Sequence, residues 1–193
     1  MLAAVFNGEG QHRSESHVRS VLEQVYREHR QGLFTLALTI TRCPYRAEDA
    51  VQEAMVRLWQ SSELPRDPLP YVFAAVRNAA IDQMRRTAAR RWQESASIYE
   101  GMPAAAGPTT GGGPEDPAAA AISAEQHARL RRAVDALPQP EREVVVMRIY
   151  GDLKFEQIAE ALDEPLPTVA SRYRRALDTL GRRIKAVMEA PHE

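Results

Sequence analysis

The chain has 193 residues, of which 44% are hydrophobic, and its 26 acidic residues nearly balance 25 Lys and Arg, so the formal net charge is −1. This composition is typical of a globular protein with one ordinary domain or two small ones, and it excludes a disordered chain. No apolar run approaches the roughly 18 residues that span a bilayer and the N-terminus lacks the pattern of a secretory signal, so we expect a cytoplasmic protein without membrane insertion.

The first predicted element is helical. Apolar residues from Val18 to Ile40 recur at the spacing of one helical face. This periodicity predicts one long helix or a pair of helices.

A second helix is predicted over 47–60, after Pro44 has interrupted the chain. Its outward face presents a compact acidic and amide patch formed by Asp49, Gln52 and Glu53. Charged outward faces of helices are usually only solvated, so this patch alone is a weak indication of a partner site.

A third helix is predicted over 71–91, with Pro70 as its first residue after a Pro-rich turn. From Arg77 onward it contains five arginines and a single acid. One face groups an aromatic, an amide and charged residues, namely Tyr71, Asn78, Asp82 and Arg85, with Arg77 and Arg86 beside it. Such a face can stack on unpaired bases and bond their edges. The alternative is that Tyr71 packs at the helix start and Asn78 is simply solvated.

The following segment, residues 94–123, is rich in Gly, Pro, Ala and Thr and contains no Lys or Arg. Loops of this length are uncommon inside a compact domain, so the composition predicts a flexible linker. We therefore divide the chain into an N-terminal helical domain over 13–93, the linker over 94–123, and a C-terminal domain over 124–188.

The C-terminal domain is also predicted to be helical, which makes the chain all-α. A capping box at 123–126 begins its first helix, and a second helix over 141–150 ends at Gly151. A short helix over 154–162, a tight turn and a long helix over 166–187 make a helix-turn-helix.

The last helix has two distinct faces. Val169, Tyr173 and Ala176 lie in an apolar arc that can pack against the domain. The opposite arc contains Thr168, Ser171, Arg172, Arg175, Thr179 and Arg182. Hydroxyl and guanidinium groups near a helix N-terminus are what a recognition helix presents in the major groove. A solvated basic face is the alternative, but the short helix and turn before it favour DNA.

Catalytic and metal chemistry are not indicated. The lone cysteine, Cys43, has no cluster around it and is interpreted as a small packing residue. The five histidines lack metal-ligand spacing, and there is no Gly-rich phosphate loop or nucleophile motif. We therefore expect no cofactor, metal site or catalytic residue, which argues against a small helical enzyme.

Several segments occur together in the order of a known family, on either side of the linker. They read AEDAVQEAMVRLWQ, PYVFAAVRNAAIDQMRR, and LPQPEREVVVMRIYGDLKFEQIAEAL followed by TVASRYRRAL. From about Val18 to Ile184 the chain thus resembles the extracytoplasmic-function (ECF) group of bacterial RNA polymerase sigma factors. The resemblance implies two helical domains that clamp onto core RNA polymerase and direct it to promoter DNA.

The resemblance also implies a role for each helix. The family's acidic helix binds the coiled-coil clamp of the largest polymerase subunit, and the matching residues here are Asp49, Gln52, Glu53 and Trp59. The third helix and the loop before it recognise the −10 element, partly by trapping a flipped base, and the matching residues are Tyr71, Arg77, Asn78, Asp82, Arg85 and Arg86. The last helix reads the −35 duplex, and the matching residues are Thr168, Ser171, Arg172 and Arg175. Members of this group are often held inactive by a dedicated anti-sigma protein.

The chain departs from the family pattern around the helix-turn-helix. Asp163 stands where a Gly is usual. Asp tolerates the left-handed conformation less well than Gly but better than most other residues. Pro165 and Pro167 replace a Ser cap and a Gly, which a helix tolerates in its first turn. Ala170 replaces a frequent Lys and removes one expected phosphate contact.

A stand-alone helix-turn-helix regulator is the alternative function. Its first domain would need a ligand pocket or a receiver sheet with clustered acids, and the sequence indicates neither. The near-zero charge favours the sigma factor, because two weak DNA-binding modules gain effective concentration when both are tethered to polymerase.

Overall fold

The computed structural model describes residues 6–61, 63–94 and 132–188, whose regular structure is entirely α-helical. The helices are α1 (Phe6–Thr41), α2 (Pro44–Trp59), α3 (Pro68–Glu94), α4 (Gln139–Ile149), α5 (Phe155–Leu162) and α6 (Leu166–Met188). Residues 132–135 add a helical turn before α4. The all-α prediction is confirmed. Apart from Glu94, the segment expected as a linker and the capping box at 123–126 lie outside the described residues.

None of the helices in the described part of the chain is both long and apolar enough to cross a membrane.

The ends of the first three helices follow from backbone chemistry. Arg42 has a left-handed φ of 55° and Cys43 is extended, so the chain turns between α1 and α2 within two residues. Pro44 is the first residue of α2, because the N–H that proline lacks has no partner in the first turn of a helix. α3 also begins with a proline, Pro68, two residues before the predicted Pro70.

The turns of the C-terminal half differ from the prediction at one position. Gly151 does not adopt the left-handed conformation expected of a helix stop, whereas Asp152 does, with a φ of 53°. Gly151 is needed for packing instead, because a Cβ at that position would lie 2.8 Å from the ring of Phe73 and 2.7 Å from a methyl group of Leu153. Asp163, in the helix-turn-helix turn, has φ 53° and ψ 47°, which is the left-handed geometry that its family position requires.

Helices α1, α2 and α3 pack against each other around one apolar core. Leu22, Leu36 and Phe73 are fully buried within it. This core makes α2 and α3 rigid supports for the side chains on their outer faces.

The core continues into the C-terminal half of the chain. α4 packs on α1 and α5 packs on α3, and Met147, Leu153 and Ile158 are buried in the same cluster as Leu22 and Phe73. A second, smaller cluster joins the end of the preceding turn and α4 to α6; its buried members are Leu137, Val145, Ala176 and Leu180. In this structure, therefore, the two halves share buried surface.

Candidate functional site

The outer face of α2 combines charge, amide and exposed apolar groups. Asp49 and Gln52 are exposed, and Trp59 is 44% exposed. Two further apolar residues lie on the same helical face, Val56 at 47% and Tyr45 at 70% exposure. The sequence prediction missed these two, although their spacing from Asp49 indicates the shared face. A large exposed apolar surface beside an acid is typical of a protein-binding site.

Glu53 differs from the other acids of α2, because its carboxylate is already occupied. It accepts hydrogen bonds from Arg57 on the same helix and from Arg86 of α3, the latter at 2.9 and 3.1 Å. Only 26% of the Glu53 side chain is exposed. Glu53 and Arg86, expected to serve polymerase and DNA respectively, therefore bond each other and hold α2 against α3.

The outer face of α3 presents most of the residues that the sequence grouped there. Tyr71 is 43% exposed, Asn78 is exposed, and 79% of the Arg85 side chain is accessible. Asp82 lies one turn before Arg85, and its carboxylate is 3.8 Å from the Arg85 guanidinium. These four side chains offer an aromatic ring, an amide and opposite charges along one helical face.

Arg77, beside that face, is partly covered, with 28% of its side chain exposed. Its Nε donates a hydrogen bond to Oε2 of Glu143 in α4 at 2.6 Å, and only 3% of the Glu143 side chain is exposed. The other carboxylate oxygen of Glu143 accepts from Gln139 at 2.8 Å. A residue expected at promoter DNA is thus engaged by the other half of the chain.

A cleft of about 370 Å³ lies between α1 and the loop that leads into α3. His17 and Val18 line it from α1, and Glu63, Pro65 and Arg66 line it from the loop. Its lining combines a cationic, an anionic and an imidazole group with apolar side chains.

The helix-turn-helix carries the residues that the sequence assigned to duplex DNA, but both arginines have carboxylate partners. Arg172 donates to Glu164 at 2.9 Å and has only 20% of its side chain exposed. Arg175 is 61% exposed and lies 3.3 Å from Glu141. Ser171 donates its hydroxyl proton to the Thr168 carbonyl, and both residues are half-buried.

Arg174 is the exposed arginine that the sequence prediction omitted. It makes no hydrogen bond or ion pair with any residue that the structure describes. It lies one turn after Ser171, opposite the buried Val169 and Ala176. A helical wheel centred on the buried residues alone, rather than on the grouping of polar ones, would have identified it.

Cys43 lies at the N-terminus of α2 and is partly exposed, so it is not a core residue. The backbone N–H of Arg46 hydrogen-bonds its sulfur and lowers the pKa of the thiol, against the opposing effect of burial. Among the described residues, no group of His, Cys, Asp or Glu is arranged to hold a metal ion.

Comparison with known families gives two matches, one in each half of the chain. Residues 25–90 match Sigma-70 region 2, and residues 127–180 match Sigma-70, region 4. The ECF RNA polymerase sigma factor RpoE of Cereibacter sphaeroides is 30% identical over 139 residues, which cover 69% of this chain and 70% of that protein. The ECF RNA polymerase sigma factor SigL of Mycobacterium tuberculosis is 31% identical over 170 residues, covering 83% and 87% of the two chains.

Solved structures share the fold. The sigma factor RpoE from Bartonella quintana, crystallised with the anti-sigma factor NepR, aligns with a TM-score of 0.64 at 20% identity and covers 86% of this chain and 96% of that one. CnrH, in complex with the cytosolic domain of CnrY, aligns with a TM-score of 0.55 at 19% identity, covering 91% and 95%.

Proposed function

This chain belongs to the ECF group of RNA polymerase sigma factors, and from that membership we propose which of its surfaces serve polymerase and which serve the promoter. Its role is promoter recognition for RNA polymerase. We place the functional units at 13–93 and 124–188, joined by the linker at 94–123. The protein acts in the cytoplasm, where the polymerase is, and has no catalytic activity of its own. The observation that carries this assignment is the separation of three outward-facing surfaces onto α2, α3 and α6.

Core polymerase binds the outer face of α2. Asp49 and Gln52 supply charge and hydrogen bonding, and the ring of Trp59 supplies the kind of large apolar contact that dominates binding energy at protein interfaces. Tyr45 and Val56 extend this face. Glu53 supports the interface indirectly by fixing α2 on α3 through Arg86.

The −10 element binds α3 as single-stranded DNA. Tyr71 offers a ring on which a base can stack, and Asn78 offers both a donor and an acceptor for a base edge. Arg85 is placed to contact phosphate. The cleft between α1 and the loop before α3 receives the flipped base.

The −35 element binds α6 as duplex DNA. We assign the base-edge and phosphate contacts to Ser171, Arg174 and Arg175, with Thr168 at the helix N-terminus. Arg172 stabilises the helix-turn-helix instead, because its guanidinium is held by Glu164 and is mostly covered. Arg175 is exposed enough to exchange Glu141 for a DNA phosphate.

An anti-sigma protein is a further proposed partner. The related RpoE of Bartonella quintana was crystallised with the anti-sigma factor NepR. The shared fold supports an equivalent inhibitor for this chain.

Run-off transcription with core polymerase on a promoter library tests the function, and Asn78→Ala tests the −10 assignment. We expect the wild type to start transcription, and Asn78→Ala to melt the promoter less well by about 1–3 kcal/mol, or about 5- to 150-fold. Permanganate reactivity of the melted bases measures this effect, and binding of the −35 duplex serves as the control that should not change.

Normal melting by Asn78→Ala would remove Asn78 from the site. Tight, sequence-specific duplex binding by the free wild type, without any stimulation of core polymerase, would favour the stand-alone regulator.

Arg174→Ala should weaken binding of the −35 duplex by about 1–3 kcal/mol, the usual contribution of a good arginine contact in the major groove. Arg183→Ala is the matched control, because Arg183 is also exposed on α6 but lies about two and a half turns further from the helix N-terminus. Competition binding on −35 duplex at fixed salt, with the polymerase complex, measures both. Equal losses in the two variants would mean that Arg174 contributes only general charge.

A further inference from the structure

We propose that Arg57 of α2 and Arg86 of α3 together bind one phosphate of the single-stranded −10 DNA, and that Glu53 between them positions both guanidinium groups. This inference rests on the function proposed above, because it extends the DNA-binding surface of α3 onto α2. It adds Arg57 to that surface and gives Glu53 a role in DNA binding.

Glu53 holds the two arginines side by side. Nη2 of Arg57 and Nη2 of Arg86 both donate to Oε1 of Glu53, and Arg86 also donates to Oε2 at 3.1 Å. Because both arginines bond one oxygen, their guanidinium groups are neighbours although they come from different helices. About half of each arginine side chain is exposed, 55% for Arg57 and 52% for Arg86, against 26% for Glu53. The cations are therefore more accessible to a ligand than the carboxylate that orders them.

One carboxylate cannot neutralise two guanidinium groups, so the cluster keeps a surplus positive charge. Each guanidinium has five N–H donors, and only Nη2 of Arg57 and of Arg86 is bonded to a residue that the structure describes. Free donors and surplus charge suit an anion with several oxygens, and phosphate accepts such charge-assisted bonds from arginine in a bidentate geometry. A bound phosphate also relieves the repulsion between the two cations.

Glu53 prepares this site before DNA arrives. A long arginine side chain loses rotamer freedom when a ligand fixes it. Arg57 is already fixed by the carboxylate one helical turn before it, and Arg86 is fixed by the same carboxylate across the contact between α2 and α3. Binding therefore orders less of the protein. Glu53 is a positioning residue, because it acts through the two arginines and does not itself contact DNA.

The location of the pair favours DNA over polymerase as the ligand. Arg86 follows Arg85, which is 79% exposed and is assigned to phosphate above. Arg57 lies about 100° around α2 from Val56, at the edge of the polymerase-binding face that is nearer to α3. That face carries Asp49, so the partner that suits it has a charge opposite to the partner of Arg57 and Arg86. A DNA strand that follows α3 past Arg85 reaches this pair next.

Four variants test the site in the full-length chain bound to core polymerase: Arg57→Ala, Arg57→Lys, Arg86→Ala, and Arg57→Ala combined with Arg86→Ala. Arg27→Ala is the matched control, because Arg27 is also exposed on a helix of the same half but belongs to α1. The probe is a promoter recovered from the promoter library, with its −10 region unpaired by mismatches. Its affinity is measured by competition at several salt concentrations. The affinity for polymerase and the circular dichroism of each variant are measured alongside.

We expect Arg57→Ala to reduce the slope of the logarithm of the DNA affinity against the logarithm of salt concentration by about 0.7, the value for one single-strand phosphate. Arg57→Lys, which keeps the charge, and Arg27→Ala should keep the wild-type slope. The affinity for polymerase should not change in any variant. Because both arginines bind one phosphate, the double variant should lose less DNA affinity than the product of the two single losses.

An unchanged slope in Arg57→Ala would overturn the proposal. Losses that multiply in the double variant would also overturn it, because they would indicate two separate phosphates. A loss of polymerase affinity in Arg57→Ala would assign Arg57 to the polymerase interface instead. If the wild type directs no transcription from the library, the proposed function fails. If it does so and Arg57→Ala keeps the wild-type slope, only the phosphate site fails.

Discussion

The variant that combines Asp49→Arg with Trp59→Ala is expected to lose binding of core polymerase by at least on the order of a thousandfold. Reversal of a charge at an interface costs about 2–5 kcal/mol when its partner is left unpaired, and truncation of an anchoring Trp costs about 2 kcal/mol or more. Co-elution of the protein with core enzyme on size exclusion, followed by a titration, measures the loss. Both side chains are exposed, so circular dichroism should show an intact fold.

A matched control exists on α1. Glu23→Arg with Tyr26→Ala makes the same change in charge and removes a ring of nearly equal exposure, 43% against 44% for Trp59. Glu53 is unsuitable for this experiment, although the sequence places it beside Asp49, because reversing its charge also breaks its bonds to Arg57 and Arg86. Wild-type affinity in the α2 variant, or an equal loss in the α1 variant, would refute the polymerase surface.

Phe73→Ala is expected to lower the free energy of unfolding by about 3–5 kcal/mol, as for other large-to-small changes in a packed core. Phe73 is fully buried, its ring meets that of His29 edge to face with centroids 6.3 Å apart, and Gly151 of the other half approaches it closely. Because both halves contact this ring, urea unfolding should remain a single transition in the free protein. Circular dichroism and intrinsic fluorescence, followed in parallel, provide the measurement.

Leu177→Ala is the control for that experiment. Leu177 is 44% exposed, so its truncation should change stability by no more than about 0.5 kcal/mol. A Phe73→Ala effect as small as that of Leu177→Ala, or two separate transitions in the wild type, would contradict the shared core.

The helices themselves could be predicted because their signals are local. Apolar periodicity identified each helix, and prolines marked several of their ends. The errors are also local in kind. Pro44 was interpreted as an interruption and Pro68 as part of a turn, but each is the first residue of a helix. A proline that ends one helix is also suited to begin the next. Gly151 was assigned a conformational role, whereas its neighbour Asp152 takes the left-handed position.

The contacts between the halves could not be predicted from local patterns. Arg77 and Glu143 are 66 residues apart, and nothing near either position indicates the other. The same limit applies within α6. The sequence grouped Arg172 with the DNA-binding residues, but whether an arginine is free depends on acids elsewhere, here Glu164. Arg172 is mostly covered for this reason, whereas Arg174 and Arg175 stay exposed.

The shared core also means that the N-terminal half cannot bury all of its apolar surface until most of the chain has been synthesised. α1, α2 and α3 emerge first, but the apolar surface that they offer to Met147, Leu153 and Ile158 stays uncovered until those residues have been added. About 75 residues separate Glu94 from Val169, the last member of the main core, and translation at about 5–20 residues per second takes roughly 4–15 s to supply them. During that interval the nascent N-terminal half exposes a hydrophobic patch around Phe73. We expect that patch to leave the unfinished chain prone to aggregation until α4 and α5 cover it.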